Sequence, residues 1–124
     1  MILSIQQGYT CMFNFLDKIY FKTYLDDLGS ILGSMDINLE DGKPMDLAML
    51  DDWKDAVNSI NTSTFNLSSS ECYAAMVLFL KETSKRNNSK DLQELAENLE
   101  TKNTANRFGV DMYNDWMNEV KKIQ

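Results

Sequence analysis

The sequence predicts an all-α protein: a single-domain bundle of about six helices, built from two pseudo-repeated three-helix units. Three observations carry that expectation. The 124 residues include only five glycines and one proline, too few turn-formers for the evenly spaced strands of an all-β chain. Apolar residues, 44% of the total, recur at three- and four-residue steps instead of alternating. The chain also matches itself at an offset of about half its length, the mark of an internal repeat. One domain suits this length, and folding would bury roughly 65–70% of the unfolded surface.

The repeat sets the element order. "GYTCMFNFL" (Gly8–Leu16) aligns with "CYAAMVLFL" (Cys72–Leu80), pairing Tyr9 with Tyr73, Met12 with Met76 and Phe15 with Phe79. At the same offset "DDLGSIL" (Asp26–Leu32) meets "KDLQELA" (Lys90–Ala96). One residue out of step, "MLDDWKDAVNSI" (Met49–Ile60) meets "MYNDWMNEVKKI" (Met112–Ile123), and both tryptophans coincide. The units span about 4–62 and 68–124.

The first helix of each unit is expected over about Ser4–Lys22 and Ser69–Lys85. "SIQQ" reads as a capping box, with Ser4 and Gln7 three residues apart. Ile5, Tyr9, Met12, Phe13, Leu16, Ile19 and Tyr20 form a broad apolar stripe, as a central helix requires. Gly8 weakens this helix by roughly 1 kcal/mol relative to alanine, which a close helix contact explains. The second helices fall at about Tyr24–Gly33 and Ser89–Glu100, with Gly33 as a C-terminal stop and Ser89 as a cap. On the third helix Met49, Leu50, Trp53, Val57 and Ile60 share one core-facing arc. Asp51, Asp55 and Asn58 face the other way. The second copy keeps the inner face but presents Asn114, Asn118 and Lys121 outward.

Several chemistries lack their residues. With no histidine there is no histidine-based triad and no common zinc set. The two cysteines, Cys11 and Cys72, are too far apart in sequence for a zinc motif and read as buried free thiols. "GSILGSM" lacks the lysine and spacing of a phosphate loop. "DINLEDG" places Asp36, Asn38 and Glu40 at alternate positions like a calcium loop, but the glycine comes one place late and Leu47 stands where glutamate belongs. The pairs Asp26/Asp27 and Asp51/Asp52 point about 100° apart on a helix, so neither converges for acid–base work. The expectation is a protein that is not an enzyme, without catalytic residues, cofactor or metal. No secretion signal is visible and no apolar run approaches a membrane span, so a cytoplasmic location is expected.

What remains is charge. The net charge is −7, and nearly all of it lies in the first half. Between Asp26 and Asp55 nine acids stand against Lys43 and Lys54. Nucleic acid is a poor partner for such a surface, and a basic protein is a better one. In the connector Met35–Asp46, Gly42 and Pro44 supply turn chemistry and Asp46 a helix cap. Asp36, Glu40, Asp41, Asp51 and Asp55 have no such architectural duty and are the candidate partner-binding residues. Three other readings stay open: acidity that only keeps the chain soluble, a phage or plasmid anti-defence protein mimicking nucleic-acid charge, and a helical adaptor.

The order "Y-x-x-M-x-x-FL", "DDLGSILGSM", "DGKPMD" and "DDWKDAV" over Tyr9–Val57 resembles the small α-helical immunity proteins of bacterial polymorphic toxin systems, in particular those of contact-dependent growth inhibition. The second half echoes it more weakly. The resemblance implies an antidote that binds a cognate toxin domain, often a nuclease with a basic cleft, and blocks it. It carries no catalytic residue over.

Overall fold

A computed structural model describes residues 2–36, 46–60, 66–102 and 112–123. Among them are six helices and one two-stranded ribbon. The ribbon joins β1 (Ile2–Leu3) to β2 (Leu67–Ser68) in antiparallel register, Ile2 opposite Ser68 and Leu3 opposite Leu67. The sequence reading had no strands; two residues are too few for a period to show.

Each strand feeds a helix through the same device. Ser4 caps α1 (Ile5–Thr23) and Ser68 caps α4 (Ser69–Asn87). Both are full capping boxes, closed by Gln7 and Glu71. The serine hydroxyl accepts from the backbone three residues on, and that residue's side chain accepts from the serine N–H. Both helices end on a left-handed residue, Tyr24 at φ 52° and Asn88 at φ 50°. The second helices follow: α2 (Asp26–Met35) and α5 (Lys90–Thr101). Ser89 caps α5 as expected, accepting from the Leu92 N–H at 3.1 Å. Gly33 does not stop α2, which runs on to Met35. A glycine ends a helix when the backbone turns left-handed there, and this backbone does not. The third helices are α3 (Leu47–Ile60) and α6 (Met112–Ile123).

The units are intertwined. α3 packs mainly on α4, and α6 mainly on α1, so each third helix lies against the first helix of the other unit. Matched contacts are exchanged. Trp53 meets Phe79 edge-on at 6.4 Å between centroids, and Trp116 meets Phe15 edge-on at 5.7 Å. Asp52 pairs with Arg86, and Asp115 with Lys22. Such reciprocity is the signature of a twofold relation, here inside one chain. Leu3 and Leu67, matched in the repeat, face each other on its axis.

Both tryptophans are fully buried. Each indole N–H is also satisfied in its own unit, Trp53 donating to the Ile5 carbonyl at 3.0 Å and Trp116 to the Ser69 carbonyl at 3.2 Å. A buried ring of this size removes about 200 Å² from water, an upper bound of about 5 kcal/mol. Cys11 and Cys72 are buried free thiols. Ile60, expected in the core arc, is 38% exposed; it closes the last turn of α3 and lines an open concavity against Tyr73 and Val77 of α4.

Candidate partner-binding surface

The burial of Trp53, Ala56 and Val57 fixes the rotation of α3 and turns Asp51 and Asp55 outward. The helix starts where the sequence placed its cap: the Asp46 carboxylate accepts from the Ala48 N–H at 3.0 Å. The Asp46 N–H donates to the Ser34 carbonyl at 3.0 Å, tying the start of α3 to the end of α2. Asp36, the exposed C-cap of α2, lies at that same end. Burial, and then the Asp36 and Asp46 charges, push the Tyr9 hydroxyl far above the ordinary phenol range.

The five candidates therefore separate. Asp51 and Asp55 share one outer face, a turn apart. Asp36 sits at the junction of α2 and α3. Glu40 and Asp41 lie outside the described residues, as do Gly42 and Pro44.

Asp52 behaves differently from its neighbours. It points toward α4, where its Oδ2 lies 2.7 Å from the Arg86 guanidinium. That oxygen is buried and lacks an aligned hydrogen bond, so the pair is held by charge and proximity. Asp52, Asp55, Glu82, Lys85 and Arg86 line a concavity of about 330 Å³ between the two helices. Asp52 is thus neutralised by Arg86 of α4, while Asp51 and Asp55 enter no ion pair among the described residues.

Sequence reasoning passed over a second surface. Between α1 and α2 runs a shallow groove of about 550 Å³, lined among others by Phe13, Asp17, Tyr20, Asp26, Gly29 and Asp36. Phe21 and Tyr24, 62% and 68% exposed, stand beside Tyr20. The signal was in the repeat: the matching residues of the second unit are Lys81, Lys85 and Asn88 for Asp17, Phe21 and Tyr24.

Other chemistry is confined. Burial and then Glu119 raise the Cys11 thiol to about 11, and burial raises Cys72 further, so both stay protonated near neutral pH. Among the described residues no group of three or more Cys, Asp or Glu side chains is placed to hold a metal ion. None of their helices is long and apolar enough to cross a membrane. Comparison with known proteins gives no match, whether among family models, curated proteins or solved structures.

Proposed function

We propose that this chain is a cytoplasmic immunity protein that binds and neutralises a cognate bacterial toxin domain, a basic nuclease, through an acidic surface centred on the outer face of α3. One observation carries the reading. Two helices that bury matching tryptophans and valines differ outside: α3 presents Asp51 and Asp55 where α6 presents Asn114 and Asn118, all exposed. A core repeated while one outer face becomes charged is what a surface shaped by a partner looks like. The charges would steer encounter with a basic cleft and fix its register. The resemblance of Tyr9–Val57 to immunity proteins supplies the toxin; the charge asymmetry supplies the face.

The test is co-expression with the basic domain encoded immediately upstream, followed by calorimetry on the purified pair. A stable complex is expected. Reversing both Asp51 and Asp55 to lysine should weaken it at least tenfold, mainly through slower association, and shift the melting temperature by less than about 2 °C, as exposed substitutions do. Absence of a complex would sink the proposal; unchanged affinity would sink the choice of face.

A further inference from the structure

We propose that the outer face of α3 continues into an apolar trough on α4, which seats one large apolar side chain of the basic partner while Asp55 meets a base beside it. The partner's identity rests on the immunity reading; the trough itself rests on the geometry below.

The trough follows one row of α4. Ser70, Ala74, Leu78, Glu82 and Arg86 fall four residues apart, on one side of the helix, and none is fully buried. α3 lies along this row in the opposite sense. Asp52 meets Arg86 near the end of α4, and Ile60 shares a concavity with Tyr73 and Val77 in its first half. The row thus floors two concavities that share Leu78. One, of about 330 Å³, holds Asp52, Asp55 and Arg86. The other, of about 370 Å³, is walled by Ile60, Tyr73, Ala74, Val77 and Leu78 and opens where α3 ends.

The charges around the trough are engaged, with one exception. Lys81 pairs with Glu100, Lys85 with Glu82 and Arg86 with Asp52. The Lys102 ammonium lies over the Tyr113 and Tyr73 rings, 4.7 and 5.7 Å from their centroids. Of the charged residues lining the two concavities, Asp55 alone has no such partner among the described residues. What is left is one open carboxylate beside an apolar floor. Five residues of helix, about 8 Å, separate Asp55 from Ile60 at the lip of that floor. An occupant that fits both carries a base and a large apolar residue about that far apart. A purely basic segment would leave the floor wet, and a purely apolar one would leave Asp55 unmatched.

The repeat shows that the fold does not need this floor to be apolar. The residues of α1 matching Ser70, Ala74 and Leu78 are Gln6, Thr10 and Asn14. α1 forms the same helix with two amides and a hydroxyl on that row. The second unit carries small and apolar side chains there instead, and Ala74 and Leu78 stay partly open to solvent. An apolar centre with charges at its rim is the build of a protein interface, and a side chain filling a pocket at such a centre carries much of the affinity.

Ala74→Met fills the concavity from its floor, and Ile60→Ser strips its lip. Both positions touch solvent, so each variant should melt within a few degrees of the parent; Ile60→Ser stands alone if Ala74→Met fails to fold. Indole, a tryptophan side chain without its backbone, is the first probe. It should give saturable amide shifts over residues 70–81 in the parent and lose them in Ala74→Met. Absence of saturable shifts there in the parent would overturn the trough. The basic domain encoded upstream is the second probe. Ala74→Met should speed its dissociation about tenfold and Ile60→Ser about threefold, with association within about twofold of the parent. Asp55→Lys should instead slow association and flatten its salt dependence. A merely structural role for Ala74 would move the melting temperature and leave the dissociation rate alone. Dissociation at the parent rate from both variants overturns the trough alone, and no complex at all overturns the immunity reading alone. A homodimer that Ala74→Met dissolves would give the trough to a second copy of the chain and overturn the partner.

Discussion

Gly8 and Cys72 occupy matching positions in the two units and meet where α1 touches α4: a Cβ on Gly8 would lie 2.9 Å from the Cys72 Sγ and 3.1 Å from the Trp53 ring. Residues related by a twofold can meet only near its axis, so the glycine marks where the halves come closest. Gly8→Ala gains about 1 kcal/mol of helix propensity but overpacks a site walled by a short side chain and a buried ring. We expect a net loss of about 1–3 kcal/mol in urea denaturation. In a Cys72→Ala background the same change should cost less, because the sulfur is gone and only the Trp53 ring still crowds the added methyl. Additive effects in that double-mutant cycle would count against the contact.

The buried hydroxyls of Tyr9 and Tyr73 cap the second helices. Tyr9 donates to the Met35 carbonyl at 2.7 Å, and Tyr73 to the Leu99 carbonyl. Both acceptors belong to last turns, where carbonyls are short of helical partners; the Leu99 carbonyl also accepts from the Lys102 N–H at 3.2 Å. Tyr73→Phe should cost about 1–2 kcal/mol at neutral pH. Burial, with a smaller contribution from Tyr113, raises Tyr73 to about 12. Its folded value thus lies above the unfolded value of about 10, so stability is complete below pH 10 and falls as pH rises toward 12. Urea midpoints at pH 9 and 11 should differ less for Tyr73→Phe than for the parent.

Glu119 is almost fully buried yet charged. It accepts from Lys18, and from Lys122 at 3.2 Å. Burial alone would raise its pKa, but the two ammonium groups hold it below the ordinary glutamate range. A depressed folded value contributes stability above the unfolded value of about 4.3, lost as pH falls through the folded one. The partners are unequal. Lys18 is partly exposed and can return to water; the carboxylate cannot. Lys18→Met should therefore cost more, about 2–4 kcal/mol, than Glu119→Gln at about 1–2 kcal/mol. Glu119→Gln should also flatten the loss of stability between pH 5 and 3. An equal cost for both variants would show the carboxylate to be better solvated than its burial implies.

The exchange of third helices makes the halves interdependent. Residues 1–62 contain α3 but not α4, its main support; residues 63–124 contain α6 but not α1. Each half expressed alone should show weak, non-cooperative melting by circular dichroism. An equimolar mixture should recover helicity and a single transition. A half that melts cooperatively as a monomer would contradict the exchange.

The sequence showed the elements well and their partners poorly. Serine with Gln7 or Glu71 three residues on marked two helix starts because capping is local chemistry. The repeat aligned Tyr9 with Tyr73 and Trp53 with Trp116, and each pair keeps the same hydrogen bond at offset positions. The exchange itself left no trace. An apolar stripe says that a face is buried, not which helix covers it, so Trp53 gave no sign that its ring would rest on Phe79. Charge was equally incomplete: the helical period turned Asp51 outward and set Asp52 about 100° away, but gave no sign that Arg86 would meet it. The α1–α2 groove went unnoticed because Phe21 and Tyr24 fall outside the stripe from Ile5 to Tyr20, and aromatic residues off the stripe leave no periodic signal.

The same exchange bears on how the chain is made. α3 meets its partner α4 soon after both are synthesised. Its symmetry mate does not: the contact between Cys11 on α1 and Glu119 on α6 spans 108 residues. At roughly 5–20 residues per second, the part of α1 that α6 covers stays open for about 5–20 s while the ribosome delivers the far end. The two halves share one architecture but not one timetable. The exposed face of the nascent α1 is where a chaperone, or a misplaced neighbouring chain, would arrive first.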